Sequence, residues 1–123
     1  MEVQDKLWGK NTVVYTSDKA ILCFAEIEPN SHCSVHYHEN RHNWFQVMEG
    51  SLGIEIWEKR EGAEDREPDV VTWIDAVNGP ICIPAGQVHR FITRKQSCKL
   101  VEIYTPFGGE LSVDDITRLK IDY

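Results

Sequence analysis

Between Ala20 and Pro106 the chain never runs far without a turn signal. AILCFAEI alternates apolar and other residues and stops at Pro29-Asn30. WFQVM and SLGIEIWEK flank Glu49-Gly50-Ser51. VVTWIDAV ends at Asn78-Gly79-Pro80, ICI meets Pro84-Ala85-Gly86, and CKLVEIYTP closes the series. Strand side chains point alternately to opposite faces, so a two-residue apolar period is the mark of a half-buried strand. Helical spacing is almost absent. Short strands at this spacing specify an all-β barrel or sandwich. Glu49-Gly50-Ser51 reads as a hairpin turn. REGAEDREPD reads as an exposed loop. One helix signal stands near the end, where Ser112 or Asp114 caps a short helical turn through DDITRL. With 123 residues, no internal repeat and no linker, residues 1–123 read as a single domain.

Charge narrows the function classes. A formal net charge of −7 with no basic stripe repels phosphate backbones, which argues against nucleic-acid binding. The scattered cations Arg41, Arg90, Arg94, Lys95 and Lys99 suit at most one small phosphate or carboxylate. No apolar run approaches membrane-spanning length, and the charged MEVQDKLWGK lacks the apolar stretch of a signal peptide, so the expected location is cytoplasmic. Cys23, Cys33, Cys82 and Cys98 are widely spaced without a C-x-x-C pair, which fits a reducing compartment better than a disulfide framework.

The histidines carry the chemistry. Three of the five, His36, His38 and His42, fall within HYHENRH. On a strand, residues two apart share a face, so His36 and His38 present their imidazoles side by side while Tyr37 points away. Zinc takes imidazole nitrogen at about 2.0–2.1 Å and wants three or four ligands, so a further donor must come from elsewhere in the fold. His89, entering a strand after PAGQV, is the evident one.

These two segments resemble the two motifs of the cupin family. His36, His38 and Gly50 match its Gly-x5-His-x-His-x3,4-Glu-x6-Gly motif; Pro84, Gly86 and His89 match its Gly-x5-Pro-x-Gly-x2-His-x3-Asn motif. The resemblance implies a single antiparallel jelly-roll barrel, a double-stranded β-helix, with a metal ion in its mouth held by His36, His38 and His89. Asn30 and Thr93 replace a glycine and an asparagine of the motifs, and Asn43 stands where the motif has glutamate. Alternation groups Asn43 with Phe45 and Val47 on the more apolar face, and His42 with Trp44, Gln46 and Met48 on the other. Asn43 is therefore the expected fourth ligand and His42 a surface residue, unless a bulge swaps the faces. Without the glutamate a divalent ion keeps its full charge and is a stronger Lewis acid. Zinc, nickel, iron or copper suit nitrogen donors better than magnesium does.

Nearly the whole chain is similar to one branch of that family, the type II mannose-6-phosphate isomerase cupin. The similarity runs through LWGK, IEPNSHCSVHYHENRHNWFQVMEG, IPAGQVHRF and the C-terminal LVEIYTPFGGELSVDDITRLKIDY, as far as Asp122 and Tyr123. It implies a sugar phosphate or nucleotide-linked sugar as ligand, metal-assisted isomerisation between C1 and C2, and a homodimer formed through the N-terminal strand. That chemistry needs a general base and an anion clamp. Strand residues Glu26, Glu55 and Glu102 are the candidate bases, and Arg41 is the candidate clamp; Arg90, next to His89, should face away. Tyr37, Trp44, Phe91 and Tyr104 are the aromatics available to line a cavity. His36, Asn43 and Cys23 depart from the branch's glutamine, glutamate and lysine. A three-histidine iron dioxygenase and a non-catalytic metal- and sugar-binding module therefore stand as alternative expectations.

Overall fold

The structure is a computed structural model and describes residues 1–120; Asp122 and Tyr123 of the C-terminal resemblance lie outside the described residues. The strands are β1 (Glu2–Lys6), β2 (Gly9–Thr16), β3 (Ile21–Ile27), β4 (Val35–Tyr37), β5 (Arg41–Glu49), β6 (Ser51–Trp57), β7 (Val70–Asp75), β8 (Ile81–Ile83), β9 (Val88–Ile92), β10 (Cys98–Pro106) and β11 (Thr117–Lys120). They form a six-stranded sheet ordered β1-β2-β3-β10-β5-β8 and a five-stranded sheet ordered β11-β4-β9-β6-β7, with antiparallel pairing throughout. The all-β expectation holds: the architecture is a double-stranded β-helix of two facing sheets.

The central strands follow their apolar alternation. β3 buries Ile21, Cys23, Ala25 and Ile27, and β5 buries Asn43, Phe45 and Val47. Inward residues of both sheets meet in one core containing Phe45, Leu52, Ile54, Phe91 and Leu100. Burying side chains of this size stabilises by about 1.5–3 kcal/mol each. The same strands change character along their length. Past Phe45 the inward positions of β5 are Asn43 and Arg41; past Leu100 those of β10 are Glu102 and Tyr104; past Phe91 that of β9 is His89. One end of the space between the sheets is thus apolar and the other polar.

Two expectations of local structure are corrected. The turn at Gly50 does not close a hairpin, because β5 and β6 belong to different sheets. The apolar faces of both strands point into one interior from opposite walls, so the turn is a corner between walls. Gly50 has φ 82°, and a Cβ there would run into the carbonyl oxygen of Ser97. The helical turn expected through DDITRL is also absent. A single turn at 112–115 leads into β11, whose pairing with β4 extends the five-stranded sheet. Asp115 accounts for this locally: its carboxylate accepts the backbone N–H groups of Glu39 (3.1 Å) and Asn40 (2.7 Å), tying the turn to the segment after β4.

The 58–69 loop contains a short 3₁₀ turn, Ala63–Asp65, and buries Ala63 on the outer face of the second sheet with Val35, Tyr37, Trp57 and Val88. Among the described residues no helix is long and apolar enough to cross a membrane.

Candidate metal centre

β4 and β9 lie side by side, with His36 directly opposite His89. His38 follows two residues after His36, on the same face. The ring centroids are 4.9 Å apart for His36–His38, 4.5 Å for His36–His89 and 5.3 Å for His38–His89. One potential ligand atom of each lies within 4.8 Å of the other two, and all three residues are buried.

The backbone selects which nitrogen faces inward. His36 Nδ1 donates to the carbonyl of Ser34 (2.7 Å), His38 Nδ1 to that of Asp115 (2.6 Å), and His89 Nδ1 to that of Gln87 (2.9 Å). A carbonyl can only accept, so each Nδ1 carries the proton and each Nε2 keeps its lone pair. Anchoring the distal ring nitrogen in this way is how proteins orient metal-binding histidines. His89 Nε2 is buried and has no hydrogen-bond partner. A lone pair held in that state costs free energy unless something electrophilic meets it. Burial above all keeps the rings neutral, pushing His38 down to about 2 and His89 to about 4, with His36 also well below its ordinary value. Neighbouring charge adds to this, from Arg41 on His38 and from the other two rings on His36. Three neutral imidazoles with converging lone pairs fit a divalent transition ion such as zinc, nickel or iron; which of these binds is not encoded in the donor set.

Asn43 reaches the cluster, as alternation requires, but in a different role from the one expected. Its Oδ1 accepts from Arg41 Nε (3.1 Å), while its Nδ2 donates to Glu102 Oε2 (2.8 Å) and faces His38 Nε2 at 3.1 Å. The guanidinium can only donate and so fixes the amide's orientation, leaving the oxygen committed away from the histidines. Asn43 is a link between Arg41, Glu102 and His38 rather than an oxygen ligand. His42 faces out, where its Nδ1 accepts the Ala85 N–H (2.9 Å) and its ring lies 5.0 Å from that of Phe107.

The three candidate bases separate cleanly. Glu26 pairs with Lys10 on the outside (3.3 Å), and Glu55 pairs with Arg90 on the outer face of the second sheet (2.6 Å). Glu102 alone is inside, lining the cavity with His36 and His38. Burial raises its pKa to about 7, against the opposing pull of Arg41 and a hydrogen bond with Tyr104. Arg41, expected in a loop as an anion clamp, opens β5 and is buried. Its guanidinium lies 3.7 Å above the Tyr104 ring, with Nη1 donating to the carbonyl of Ser112 (2.7 Å). Two of its five N–H donors are committed to the wall, at Asn43 and Ser112, so it is a braced positive charge that still borders the cavity. Phe91 and Tyr104 line the cavity, whereas Tyr37 packs under Arg60 outside (3.7 Å) and Trp44 bonds Thr105 on the outer face (3.1 Å).

Sequence reasoning missed Asp115, Asn11, Lys6 and Arg118, all of which border the site or anchor it. Asp115 and Arg118 lie in DDITR, a segment whose resemblance was visible but whose helical reading removed it from the barrel.

No protein-family model matches the sequence, and no curated protein matches it. Solved structures do match in fold. The chain superposes on KdgF from Halomonas sp. with TM-score 0.68 at 11% identity, covering 86% of this chain and 88% of that one. It matches CapF, the capsular polysaccharide assembling protein of Staphylococcus aureus, with TM-score 0.73 at 16% identity, covering 98% of this chain and 32% of that one. For oxalate decarboxylase from Bacillus subtilis the TM-score is 0.74 at 14% identity, with 96% and 30% covered. The chain thus spans about a third of the latter two proteins. The likeness shows the fold alone, a double-stranded β-helix; this chain's own geometry brings His36, His38 and His89 together as a possible metal site.

Proposed function

We propose that the protein is a metal-dependent cupin that isomerises a small phosphorylated sugar. The observation that carries this is the placement of one buried, weakly acidic carboxyl, Glu102, beside three neutral histidines with inward lone pairs. His36, His38 and His89 would hold the ion through Nε2. When bound, the ion supplies Lewis-acid polarisation of a sugar carbonyl and its neighbouring hydroxyl.

The remaining work falls to the chain. Isomerisation between C1 and C2 takes a proton from one carbon and returns one to the other, with a matching shift between the two oxygens, so no redox partner is needed. A buried carboxyl is suited to both halves, because desolvation raises its affinity for a proton while a neighbouring cation would lower it, bringing acceptance and release closer in cost near neutrality. Asn43 fixes Glu102 by donating to Oε2, and Arg41 holds Asn43 in turn. Phe91 and Tyr104 restrict water on the cavity wall.

The cavity volume, ≈130 Å³, suits the sugar end of either a simple sugar phosphate or a nucleotide-linked sugar. By the measure in which one water needs roughly 10–15 Å³, it admits the reacting end of a small molecule and leaves a nucleotide outside.

The test is conversion of mannose 6-phosphate to fructose 6-phosphate by zinc- or nickel-loaded protein. Glu102→Gln is expected to slow it by at least about 10²-fold at unchanged metal content. A second reading, an iron dioxygenase, draws on the neutral three-nitrogen donor set. Oxygen uptake by iron-loaded protein, with no isomerisation under any metal, would replace the first reading with it.

A further inference from the structure

We propose that the cavity is built to grip a hydroxylated anion, with Lys6 and Arg118 clamping the charged group and Asn11 accepting a hydroxyl. This deepens the sugar-phosphate reading and rests on it for the position of the reacting end.

Register places the clamp. Arg118 is opposite His36 on β4, and His36 is opposite His89 on β9, so the three side chains form one row on the inner face of the five-stranded sheet. On the other sheet Gln4 is opposite Asn11, which is opposite the core residue Ala25. Lys6, two residues after Gln4, shares that inward face. Lys6 and Arg118 therefore approach the cavity from opposite walls, and both line it.

Charge supports the same occupant. The chain carries a net −7, yet among the described residues Glu102 is the only carboxylate lining this cavity. Lys10, Arg60, Arg66, Arg90 and Lys99 are each paired with a carboxylate; of the described cations in no ion pair, Lys6, Arg41 and Arg118 are the ones that line the cavity. Arg41 adds a positive charge held in place by its hydrogen bonds to Asn43 and Ser112. A cationic mouth on an acidic protein concentrates anions locally.

Asn11 adds the second requirement. It is only 6% exposed and lines the cavity; its Nδ2 donates to Gln4, but its Oδ1 has no partner. A buried carbonyl oxygen without a donor costs about 1–3 kcal/mol, which a ligand hydroxyl would recover. A phosphate ester and a carboxylate present the same charge to the clamp, so a sugar phosphate and a sugar acid share the required chemistry.

The experiment titrates inorganic phosphate, mannose 6-phosphate, galacturonate and neutral mannose into the full-length protein by calorimetry at low salt, with and without zinc. Both charged sugars are expected to bind at least tenfold more tightly than mannose. Whichever charged sugar binds more tightly identifies phosphate or carboxylate as the preferred group. Lys6→Ala and Arg118→Ala, both at exposed positions, should each lower affinity by roughly threefold to fivefold and flatten its salt dependence. Asn11→Leu should weaken the charged sugars and leave inorganic phosphate unchanged. Mannose binding as well as the charged sugars, or a Lys6→Ala/Arg118→Ala double variant binding like the wild type, overturns the clamp. Asn11→Leu protein that binds the charged sugars normally overturns the hydroxyl contact. Zinc content, read in the same samples, decides the metal centre separately. The clamp needs no ion, so the zinc-free titrations decide it even if no zinc is retained.

Discussion

His36 and His89 face each other directly across β4 and β9, ring centroids 4.5 Å apart, although four strands, β5 to β8, separate them in sequence. Register alone creates this meeting. A slip of one residue in either strand would turn one imidazole to the outer face, where Tyr37 and Val88 pack. The apolar alternation on both sides of each histidine is thus what holds the centre together, and the backbone carbonyls of Ser34 and Gln87 then set the rings.

Metal retention should follow this geometry. His36→Ala and His89→Ala each remove one of three nitrogens and should leave less than a tenth of the bound metal after dialysis, measured by elemental analysis. His42→Ala should retain it fully, since that ring points outward to Ala85 and Phe107. Losing the Ala85 hydrogen bond should lower stability by only about 1 kcal/mol. Equal metal loss in all three variants would contradict the observed register.

How much of this the sequence discloses depends on the range of the interaction. Alternation is local, and it assigns Asn43, Phe45 and Val47 to the interior and His42 and Trp44 to the exterior. The role of Asn43 is not local: it is set by Arg41 on one side and by Glu102, from a distant strand, on the other. Nothing in VEIYT separates Glu102 from Glu26 or Glu55 until β10 is seen between β3 and β5 in the sheet. The Gly50 turn misleads because a hairpin and a corner between sheets use the same residues. DDITRL misleads because Ser112 does accept the Asp114 N–H as a helix cap would (3.1 Å), while the neighbouring Asp115, which ties two loops together through the N–H groups of Glu39 and Asn40, carries no local mark of that role.

Asn43→Leu should be costly. It keeps the volume but strips Arg41 Nε and Glu102 Oε2 of partners inside the barrel. Each unsatisfied buried group costs about 1–3 kcal/mol, so a loss of at least about 2 kcal/mol is expected in urea denaturation. Asn43→Asp would keep an acceptor for Arg41 but set a second carboxylate beside Glu102. A stability loss well under about 1 kcal/mol for Asn43→Leu would mean that water satisfies both groups.

Gly53 on β6 gives a test of packing away from the site. A Cβ there would approach Ile92 Cγ1 to 2.7 Å and the Trp73 ring to 2.9 Å, and Arg94 already lies over that ring at 4.1 Å. Gly53→Ala should therefore destabilise by about 1–3 kcal/mol, as overpacking does, despite alanine's better strand propensity. Metal content should not change, because this face is turned away from the histidines. Thermal melting and elemental analysis on the same preparation check both halves.

The stability of metal-free protein should rise with pH between about 4.5 and 6.5. In the folded state His38 is held at about 2, His89 at about 4 and His36 well below its ordinary 6.5. As pH falls below 6.5, the unfolded chain takes up protons that the folded one refuses, so stability present above that pH is lost towards the folded values. Glu102 acts in the opposite sense. Its folded value of about 7 lies above its ordinary 4.5, so its contribution is complete below 4.5 and is lost as pH rises through 7. Three groups outweigh one across the shared window, each titrating proton changing stability by up to about 1.4 kcal/mol per pH unit. Above 6.5 only Glu102 still titrates among these four, and the curve should flatten and turn slightly down. Urea denaturation of chelator-treated protein at pH 5, 6, 7 and 8 reads the profile. Glu102→Gln should steepen the rise below 6.5 and abolish the decline above it. A flat profile from pH 5 to 6.5 would mean that the three rings protonate freely in the folded protein and are not the dry, neutral cluster on which the metal centre depends.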